Sequence, residues 1–299
     1  MGILDGKNII ITGAGRGIGK EVAKASVKEG ANVGITSRTV EELNIAKKEI
    51  ESVRIGSKVI LKTADITKYE EVEKVFKAFN VELGLIDGVI ANAGASKMGD
   101  THTFDPNIFD FILKVNVLGI FNAFKASYPY LKKDDKKSKA KFIITGSEAY
   151  PQAMPKFAAY TATKYATVGL QRAFVAEYKK ENINFNQILP TMVDTRLLRG
   201  KKSGDGNKPE NIMNPWDLND YYSFLLSDDS NKINDQLIFS SDINTIKKII
   251  NEAPLEKKEN WEIFKVYLEE KAPKTFNNVK KLGAFVEFLL SRKKLNLFT

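Results

Sequence analysis

The sequence predicts an α/β fold in which helices cover both faces of a parallel sheet. Short apolar runs with the length of strands alternate with amphipathic helical stretches from the N-terminus to about residue 245. Such alternation is typical of strands joined by helical crossovers, which make the strands parallel and bury both faces of the sheet. Right-handed crossovers then give a doubly wound sheet, whose ligands bind at the carboxyl ends of the strands.

The predicted elements follow one another in a regular order. Strands are expected at residues 8–12, 32–36, 59–64, 86–91, 142–145, 185–189 and 236–239. Helices are expected at residues 18–28, from Thr39, from Thr67, at 108–128, around Tyr160 and at 215–226. Thr39 with Glu42, and Thr67 with Glu70, have the spacing of capping boxes.

Two segments fall outside this alternation. Residues 196–214 are rich in Gly, Lys, Asn and Asp without a clear period, which indicates a mobile loop. From residue 246 to 299 the pattern is helical with no strand, and it is too short and too rich in lysine for a second catalytic domain. We expect this extension to form two or three helices that pack on the main domain or on a partner subunit.

Composition excludes several kinds of chemistry. The chain has no cysteine and a single histidine, His102, so disulfides, thiolate chemistry and a multi-histidine metal site are excluded, and no metal is expected. The net charge is +9, but the lysines are interleaved with acids, which favours solvated faces over a nucleic-acid partner. Without a signal core or a run of about 20 apolar residues, the sequence predicts a cytoplasmic protein with no membrane span.

A glycine-rich turn follows the first predicted strand and opens the first helix. It reads Thr12-Gly13-Ala14-Gly15-Arg16-Gly17-Ile18-Gly19. Glycines let the backbone turn tightly and approach a pyrophosphate, while the helix N-terminus offers free N–H groups and the positive end of its dipole. In this position the turn predicts dinucleotide binding rather than a plain structural turn.

The ends of the next three strands favour one kind of nucleotide. Ser37 and Arg38 end the second strand, with no carboxylate to accept hydrogen bonds from an unmodified ribose. A hydroxyl and a guanidinium suit a 2′-phosphate, and Arg16 adds positive charge, so we expect NADP(H) rather than NAD(H). Asp65 ends the third strand, either to hold the adenine amino group or as an acid at a helix N-terminus. Asn92-Ala93-Gly94 ends the fourth, where small residues let a nucleotide pass or merely form a turn.

Tyr160 and Lys164 are the most informative pair in the chain. They lie four residues apart in a predicted helix, so both side chains occupy one face. A free tyrosine has a pKa near ~10, and a neighbouring cation lowers that pKa toward the working range of a proton donor or acceptor. Ser147 follows the fifth strand, thirteen residues before Tyr160. Asn116 lies within an apolar helix, where a buried amide must find partners.

Together these motifs resemble the short-chain dehydrogenase/reductase family, of the subtype whose turn reads Thr-Gly-x-x-x-Gly-x-Gly. The resemblance covers roughly residues 5–245. It implies a Rossmann fold in which residues 1–245 form the catalytic domain and residues 246–299 a helical extension. The chain departs from the family at Thr191, where a glycine is usual, and at Ser240-Ser241-Asp242, where Val-Asp-Gly-Gly is frequent.

The resemblance implies a role for each catalytic candidate. Tyr160 would donate a proton to the carbonyl oxygen in reduction or remove it from the alcohol in oxidation, and Lys164 would lower its pKa and bind the nicotinamide ribose. Ser147 would hold the substrate oxygen, unless it is only a turn residue at the strand end. Asn116 would hold a water that links Lys164 to solvent, or would make a helix-packing hydrogen bond. The implied cofactor-binding residues are Gly13, Gly15, Arg16, Gly17, Ile18, Gly19, Ser37, Arg38, Asp65, Ile66, Asn92, Gly94, Tyr160, Lys164, Pro190, Val193 and Thr195.

The predicted function is an NADP(H)-dependent oxidoreductase that interconverts a carbonyl and a secondary alcohol by hydride transfer. The small-molecule substrate stays open among 3-oxoacyl thioesters, sugars, polyols and steroid-like ketones. The expected pocket residues are Ala95, Ser96, Met98, Ala149, Tyr150, Met154, Met192 and the 196–214 loop. The alternative is a non-catalytic dinucleotide-binding or scaffold protein, although such members typically lose the Tyr, Lys or Ser kept here. A homo-oligomer, dimer or tetramer, is expected.

Overall fold

A computed structural model describes residues 2–131 and 138–294 of the chain. Its strands are β1 (Asn8–Thr12), β2 (Asn32–Ser37), β3 (Val59–Thr63), β4 (Gly88–Ala91), β5 (Ala140–Thr145), β6 (Ile183–Leu189) and β7 (Gln236–Phe239). They form one sheet in the order β3-β2-β1-β4-β5-β6-β7, and every neighbouring pair is parallel. The strand order reverses between β1 and β4, which opens a crevice at the carboxyl ends of those strands.

Helices cover both faces of the sheet. They are α1 (Gly17–Lys28), α2 (Val40–Glu51), α3 (Tyr69–Leu83), α4 (Pro106–Leu113), α5 (Gly119–Ser127), α6 (Ala158–Glu177), α7 (Arg196–Arg199), α8 (Asn219–Leu226), α9 (Ser240–Glu252), α10 (Trp261–Lys271), α11 (Pro273–Val279) and α12 (Gly283–Lys294). A π-helical turn, Lys114–Leu118, joins α4 to α5. The doubly wound fold predicted from the sequence is confirmed, and the predicted strand bounds differ from these by no more than a few residues.

The two predicted capping boxes do not form. Thr39 is the N-cap residue of α2 but makes no side-chain hydrogen bond to the helix. Thr67 lies one residue ahead of the N-cap of α3, and its hydroxyl donates to Asp65 Oδ1 at 2.8 Å. A nearby carboxylate competes with the helix for this hydroxyl, because an ionised acceptor makes the stronger hydrogen bond.

The segment 196–214, predicted to be an irregular mobile loop, is organised around Arg199. This side chain donates to Asp194 Oδ1 at 3.1 Å and to Asp205 Oδ1 at 3.0 Å. A parallel bridge between Val193 and Met213 closes the base of the segment. The sequence pattern misses this order because its contacts are ion pairs between polar residues, which leave no hydrophobic period.

The C-terminal helices share a hydrophobic core with one face of the sheet. Buried side chains of β1, α1 and α8 belong to the same cluster as Phe264 of α10 and Phe285 of α12. Helix α9 runs across residue 245 without a break. The opposite face of the sheet has its own core, in which Phe124 packs against Phe142, Phe174 and Phe185.

One helical stretch in the described part of the chain, Pro106–Tyr130, is long and apolar enough to cross a membrane by those two criteria alone. In the fold it packs on the sheet, with 44% of its most apolar window buried. A core helix of a large α/β protein meets the same criteria. The sequence predicted no membrane span, and this stretch is an exception by length and composition alone.

Candidate active site

The glycine turn is locked against the end of β4 by hydrogen bonds. The Thr12 hydroxyl accepts from the backbone N–H groups of Asn92 and Ala93 at 3.0 and 3.1 Å. The Asn92 side-chain amide donates back to the carbonyl oxygens of Thr12 and Gly13, at 3.1 and 3.2 Å. Gly13 has a φ of +67°, and a Cβ added to Gly19 would lie 2.6 Å from Asn92 Nδ2, so both positions require glycine.

The residues at this crevice fit a dinucleotide. Helix α1 has no side-chain cap and no acid in its first turn, so its N-terminal N–H groups are available to an anion. At Gly94 a Cβ would meet no protein atom closer than 3.6 Å, so the packing of the chain itself does not require glycine there. The space beside Gly94 is therefore free of protein atoms and can admit a bound group.

The ends of β2 and β3 bring Arg38 and Asp65 together. Burial is the largest influence on the Asp65 carboxyl and raises its pKa, but hydrogen bonds from Thr67 and the charge of Arg38 lower the pKa below its usual value overall. The Arg38 guanidinium carbon lies 5.6 Å from the centroid of the Phe111 ring. Ile66 is buried, and its carbonyl oxygen accepts from the Asn122 amide at 2.9 Å.

A carboxylate does lie at the end of β2, contributed by α2 rather than by the strand. Glu42 Oε1 makes an ion pair with Arg16 of the glycine turn and accepts from Arg196 of α7 at 3.0 Å. A Cβ added to Gly15 would lie 3.1 Å from Ser37 Oγ and 3.5 Å from Glu42 Oε2, so these two groups are neighbours. The expectation that no acid occupies this place, which rested on the residues next to the strand end, is therefore corrected.

Helix α6 holds Tyr160 and Lys164 on one face at the carboxyl end of β5. Lys164 is 5% exposed, and its ammonium nitrogen donates to the carbonyl oxygen of Thr145 at 3.0 Å. The same nitrogen lies 5.3 Å from the centroid of the Tyr160 ring. Burial lowers the pKa of Lys164 to about 8, because the ammonium loses its hydration.

The Tyr160 phenol and the Ser147 hydroxyl are neighbours. Burial raises the pKa of the phenol, and the interaction with Ser147 lowers it by less. The pKa of the phenol is therefore raised overall rather than lowered as expected, because desolvation of the phenol dominates. Ser147 Oγ also accepts from the backbone N–H of Ala149 at 3.1 Å, which orients the hydroxyl.

The side chain of Asn116 connects the π-helical turn to the segment after β4. Its Oδ1 accepts from the Ala95 backbone N–H at 2.7 Å, and its Nδ2 donates to the Ala95 carbonyl oxygen and to Thr163 Oγ1, both at 2.9 Å. These bonds are of the kind expected if the amide serves helix packing. The role of Asn116 in holding a water near Lys164 stays a prediction. π-Helical turns are frequent at functional sites because they displace backbone groups from the regular ladder.

The segment after β6 is tied to neighbours on both sides. The Pro190 carbonyl oxygen accepts from the Glu148 backbone N–H at 2.9 Å, and the Thr191 N–H donates to Ser240 Oγ at 2.9 Å. Thr191, one of the departures from the family pattern, is therefore held by Ser240, the first residue of α9. Val193 is buried, and Thr195 lies beside the glycine turn, with its Cγ2 3.2 Å from a Cβ placed on Gly17.

Four residues that position the site carry no strong signal in the sequence. The hydroxyl of Thr12, the carbonyl of Thr145 and the hydroxyl of Thr163 orient Asn92, Lys164 and Asn116, respectively. The fourth residue is Glu42, which holds Arg16 and Arg196. Thr12 begins the glycine-turn motif and Glu42 belongs to a predicted capping box, but neither pattern indicates these contacts.

Comparisons with known proteins agree with the fold. The family model described as short chain dehydrogenase matches residues 7–206. The chain therefore belongs to the short-chain dehydrogenase family and is an oxidoreductase with an NAD(P)-binding Rossmann fold.

Relatives within the family differ in the substrates that their names record. A 12alpha-hydroxysteroid dehydrogenase from a Clostridium species is 34% identical over 68% of this chain and 79% of its own length. A 3-dehydrosphinganine reductase from Arabidopsis thaliana is 31% identical over 63% of this chain, but the match spans only 56% of that protein. An alcohol dehydrogenase from Thermococcus sibiricus, solved with 5-hydroxy-NADP, has a TM-score of 0.70 and 27% identity, covering 78% of this chain and 95% of its own.

A carveol dehydrogenase from Mycobacterium avium, solved with NAD, has a TM-score of 0.73 and 22% identity over 80% of this chain and 98% of its own. At that identity the likeness concerns the fold alone. The two solved structures hold different dinucleotides, so they do not decide between NADP and NAD for this chain.

Proposed function

We propose that the protein is an NADP(H)-dependent oxidoreductase that interconverts a ketone and a secondary alcohol. The observation that carries this proposal is the group formed by Ser147, Tyr160 and Lys164 at the carboxyl end of β5, in which Lys164 is buried and the other two side chains are partly exposed. A bound nicotinamide supplies or accepts the hydride at the substrate carbon. The protein's own part is to bind the substrate oxygen and to move one proton at that oxygen.

Tyr160 is the proton donor in reduction and the acceptor in oxidation. The raised pKa of its phenol keeps the proton in place at neutral pH, which suits the reductive direction. Ser147 lies beside Tyr160, and its hydroxyl can donate its one proton to the substrate oxygen as negative charge develops there. Lys164 stabilises the phenolate that remains after the proton has left, since its ammonium lies over the ring.

The substrate that we propose has a large apolar part. An apolar cavity of about 210 Å³ lies at the N-terminal end of α6, the helix that carries Tyr160. It is lined by Gly99, Thr101, Phe104, Pro106, Phe109, Ala158 and Ala159. Two of the predicted pocket residues, Met98 and Met154, keep exposed side chains. Apolar lining with few polar groups is the usual character of a site for such ligands. The relatives named for a hydroxysteroid and for 3-dehydrosphinganine support this class, and a 3-oxoacyl thioester stays within it.

The preference for NADP(H) rests on the basic residues around the adenosine end of the crevice. Arg38 directly follows β2, and Arg16 lies in the glycine turn, as expected for a site that receives a 2′-phosphate. The carboxylate of Glu42 opposes this preference and is considered separately below.

Self-association is also part of the proposal. Exposed apolar side chains of α4, Phe109 and Phe111, lie on a helix that packs against α6, whose exposed residues include Ala162 and Gly169. Large and small side chains placed side by side can interlock across a twofold axis with a second copy of the chain. We propose a cytoplasmic homo-oligomer formed through these two helices.

The test is a screen of ketones with NADPH oxidation as the readout, run on the wild type and on Tyr160→Phe. We expect the variant to lose turnover by about 10²-fold or more while NADPH binding changes little. Tyr165→Phe is the matched control, because Tyr165 lies on the same helix with its hydroxyl bonded to Pro151 at the surface. Normal turnover in Tyr160→Phe, or NADPH binding with no reduction of any ketone, would favour the non-catalytic dinucleotide-binding alternative.

A further inference from the structure

Three charged side chains from distant parts of the chain meet at the adenosine end of the crevice. Arg16 comes from the glycine turn, Glu42 from the first turn of α2 and Arg196 from the first residue of α7. Both guanidiniums contact the same oxygen, Glu42 Oε1. The other oxygen, Oε2, lies on the side of Gly15 and Ser37.

This group borders an open cavity of about 280 Å³. The cavity is lined by Gly15, Arg16, Gly17, Lys20, Glu42, Ile45, Arg196, Gly200, Lys201 and Ser203. Four of these residues are cations, and Glu42 is the one acid among them. The lining is therefore suited to an anion, apart from the carboxylate that now occupies both arginines.

We infer that Glu42 and Arg196 set the discrimination between NADPH and NADH, with Arg196 acting as a phosphate ligand delivered by the segment after β6. The inference rests on the proposed cofactor site. Arg16 and Arg196 are already held side by side by Glu42, so a 2′-phosphate can take both guanidiniums at once. Arginine is suited to this exchange, because its planar fork binds carboxylate and phosphate oxygens in the same geometry.

Glu42 acts in opposite directions on the two dinucleotides. A phosphate monoester carries about −1.5 to −2 charges at neutral pH, so it competes with the carboxylate for both arginines and is repelled by it. An unmodified ribose has a 2′-hydroxyl, which can donate to Glu42 Oε2 beside Ser37. The carboxylate therefore weakens the binding of NADPH and favours that of NADH. The sequence shows no acid next to the end of β2 that could bind an unmodified ribose. Glu42, which comes from α2, can take that role.

Arg38 does not duplicate this role in the structure. Its guanidinium lies against the Phe111 ring, and its charge acts on Asp65 at the end of β3. Arg38 is thus placed toward the adenine side of the crevice, whereas Arg16 and Arg196 lie on the side of Gly15 and Ser37. The two groups of cations can contact different parts of one nucleotide.

The test measures dissociation constants of NADPH and NADH by the fluorescence of the reduced nicotinamide, without a substrate. In Glu42→Gln we expect the ratio Kd(NADPH)/Kd(NADH) to fall by about three- to tenfold, the effect of a partly exposed ion pair. In Arg196→Gln we expect Kd(NADPH) to rise by a similar factor while Kd(NADH) stays within about twofold. Glu41→Gln is the matched control, because Glu41 is an exposed acid on the same helix turn.

The outcomes separate this inference from the proposed cofactor preference. The wild-type ratio tests the preference for NADP(H), whereas the change of the ratio in Glu42→Gln tests the role of Glu42. A wild type that prefers NADH would contradict the preference and leave the inference intact if the ratio still falls in the variant. An unchanged ratio in Glu42→Gln, or an equal loss of both dinucleotides in Arg196→Gln, would overturn the inference. Failure of the wild type to bind either dinucleotide would overturn both.

Discussion

The ammonium nitrogen of Lys164 lies 5.3 Å from the centroid of the Tyr160 ring. It is held there by its hydrogen bond to the Thr145 carbonyl oxygen, at the end of β5. Burial of Tyr160 dominates the pKa of its phenol, which lies above the ordinary value in the structure. A buried ammonium at this distance stabilises the phenolate, so we expect Lys164 to hold this pKa lower than burial alone would.

Lys164→Met should therefore move the pH dependence of alcohol oxidation to higher pH. Oxidation requires ionised Tyr160, and a unit charge about 5 Å away in a medium of effective dielectric constant about 20 changes its free energy by about 3 kcal/mol at most. We expect the alkaline-rising limb of kcat to shift upward by about one to two pH units. The measurement is a pH–rate profile with an alcohol that the wild type oxidises, and Tyr165→Phe serves as the control with an unshifted profile. A limb that stays in place in Lys164→Met would remove the lysine from the proton-transfer step.

A second buried lysine should make the stability of the protein depend on pH. Lys141 of β5 is 1% exposed, and its ammonium nitrogen donates to Asn231 Oδ1 at 2.8 Å. Burial lowers the pKa of Lys141 to about 7, with Asp228 opposing and Lys7 and Lys139 assisting the shift. Because the unfolded chain then binds more protons between pH 7 and the ordinary lysine pKa near 10.5, stability should rise with pH across that window.

Lys141→Met should flatten this rise. One pKa unit corresponds to about 1.4 kcal/mol, so the lysine accounts for a pH-dependent gain of several kcal/mol at most. The comparison uses urea midpoints at pH 6.5 and pH 9.5 for the wild type, for Lys141→Met and for Lys180→Met, whose lysine is exposed. Lys164 titrates near the same range in all three proteins, so only the difference between variants is informative. An equal rise in all three would show that Lys141 keeps an ordinary pKa.

Local patterns in the sequence were sufficient for the sheet and for placing Tyr160 and Lys164 on one helix, while their catalytic role stays a prediction. The strands of a doubly wound sheet are continuous apolar runs, and Tyr160 and Lys164 are linked by helical spacing, so both are visible without a structure. Glu42 shows where this reasoning ends. Its local context indicated a capping box with Thr39, but its partners are 26 and 154 residues away. Long-range ion pairs leave no periodic trace, and for that reason Arg199 and the order of segment 196–214 were also missed.

The extension after β7 should unfold together with the rest of the chain. Phe285 of α12 is 1% exposed and lies within 4.9 Å of the Phe224 ring and 5.7 Å of the Tyr221 ring, both on α8. Truncating a buried phenylalanine costs about 3–5 kcal/mol through lost burial and the cavity that remains. If the extension and the sheet form one cooperative unit, Phe285→Ala should lower a single thermal transition by about 5 °C or more.

Two probes test whether that transition is shared. Circular dichroism follows all helices. In a Trp216→Phe background, which removes the other tryptophan of the chain, the fluorescence of Trp261 in α10 reports on the extension. We expect the two curves to coincide in Phe285→Ala as in the wild type, because coincident probes indicate one cooperative transition. Val266→Ala, at a side chain that is 64% exposed on α10, should leave the midpoint unchanged. A fluorescence transition that moves to lower temperature while the dichroism midpoint stays would show that residues 246–299 fold as a separate unit, and the shared core would then contribute little to the stability of the sheet.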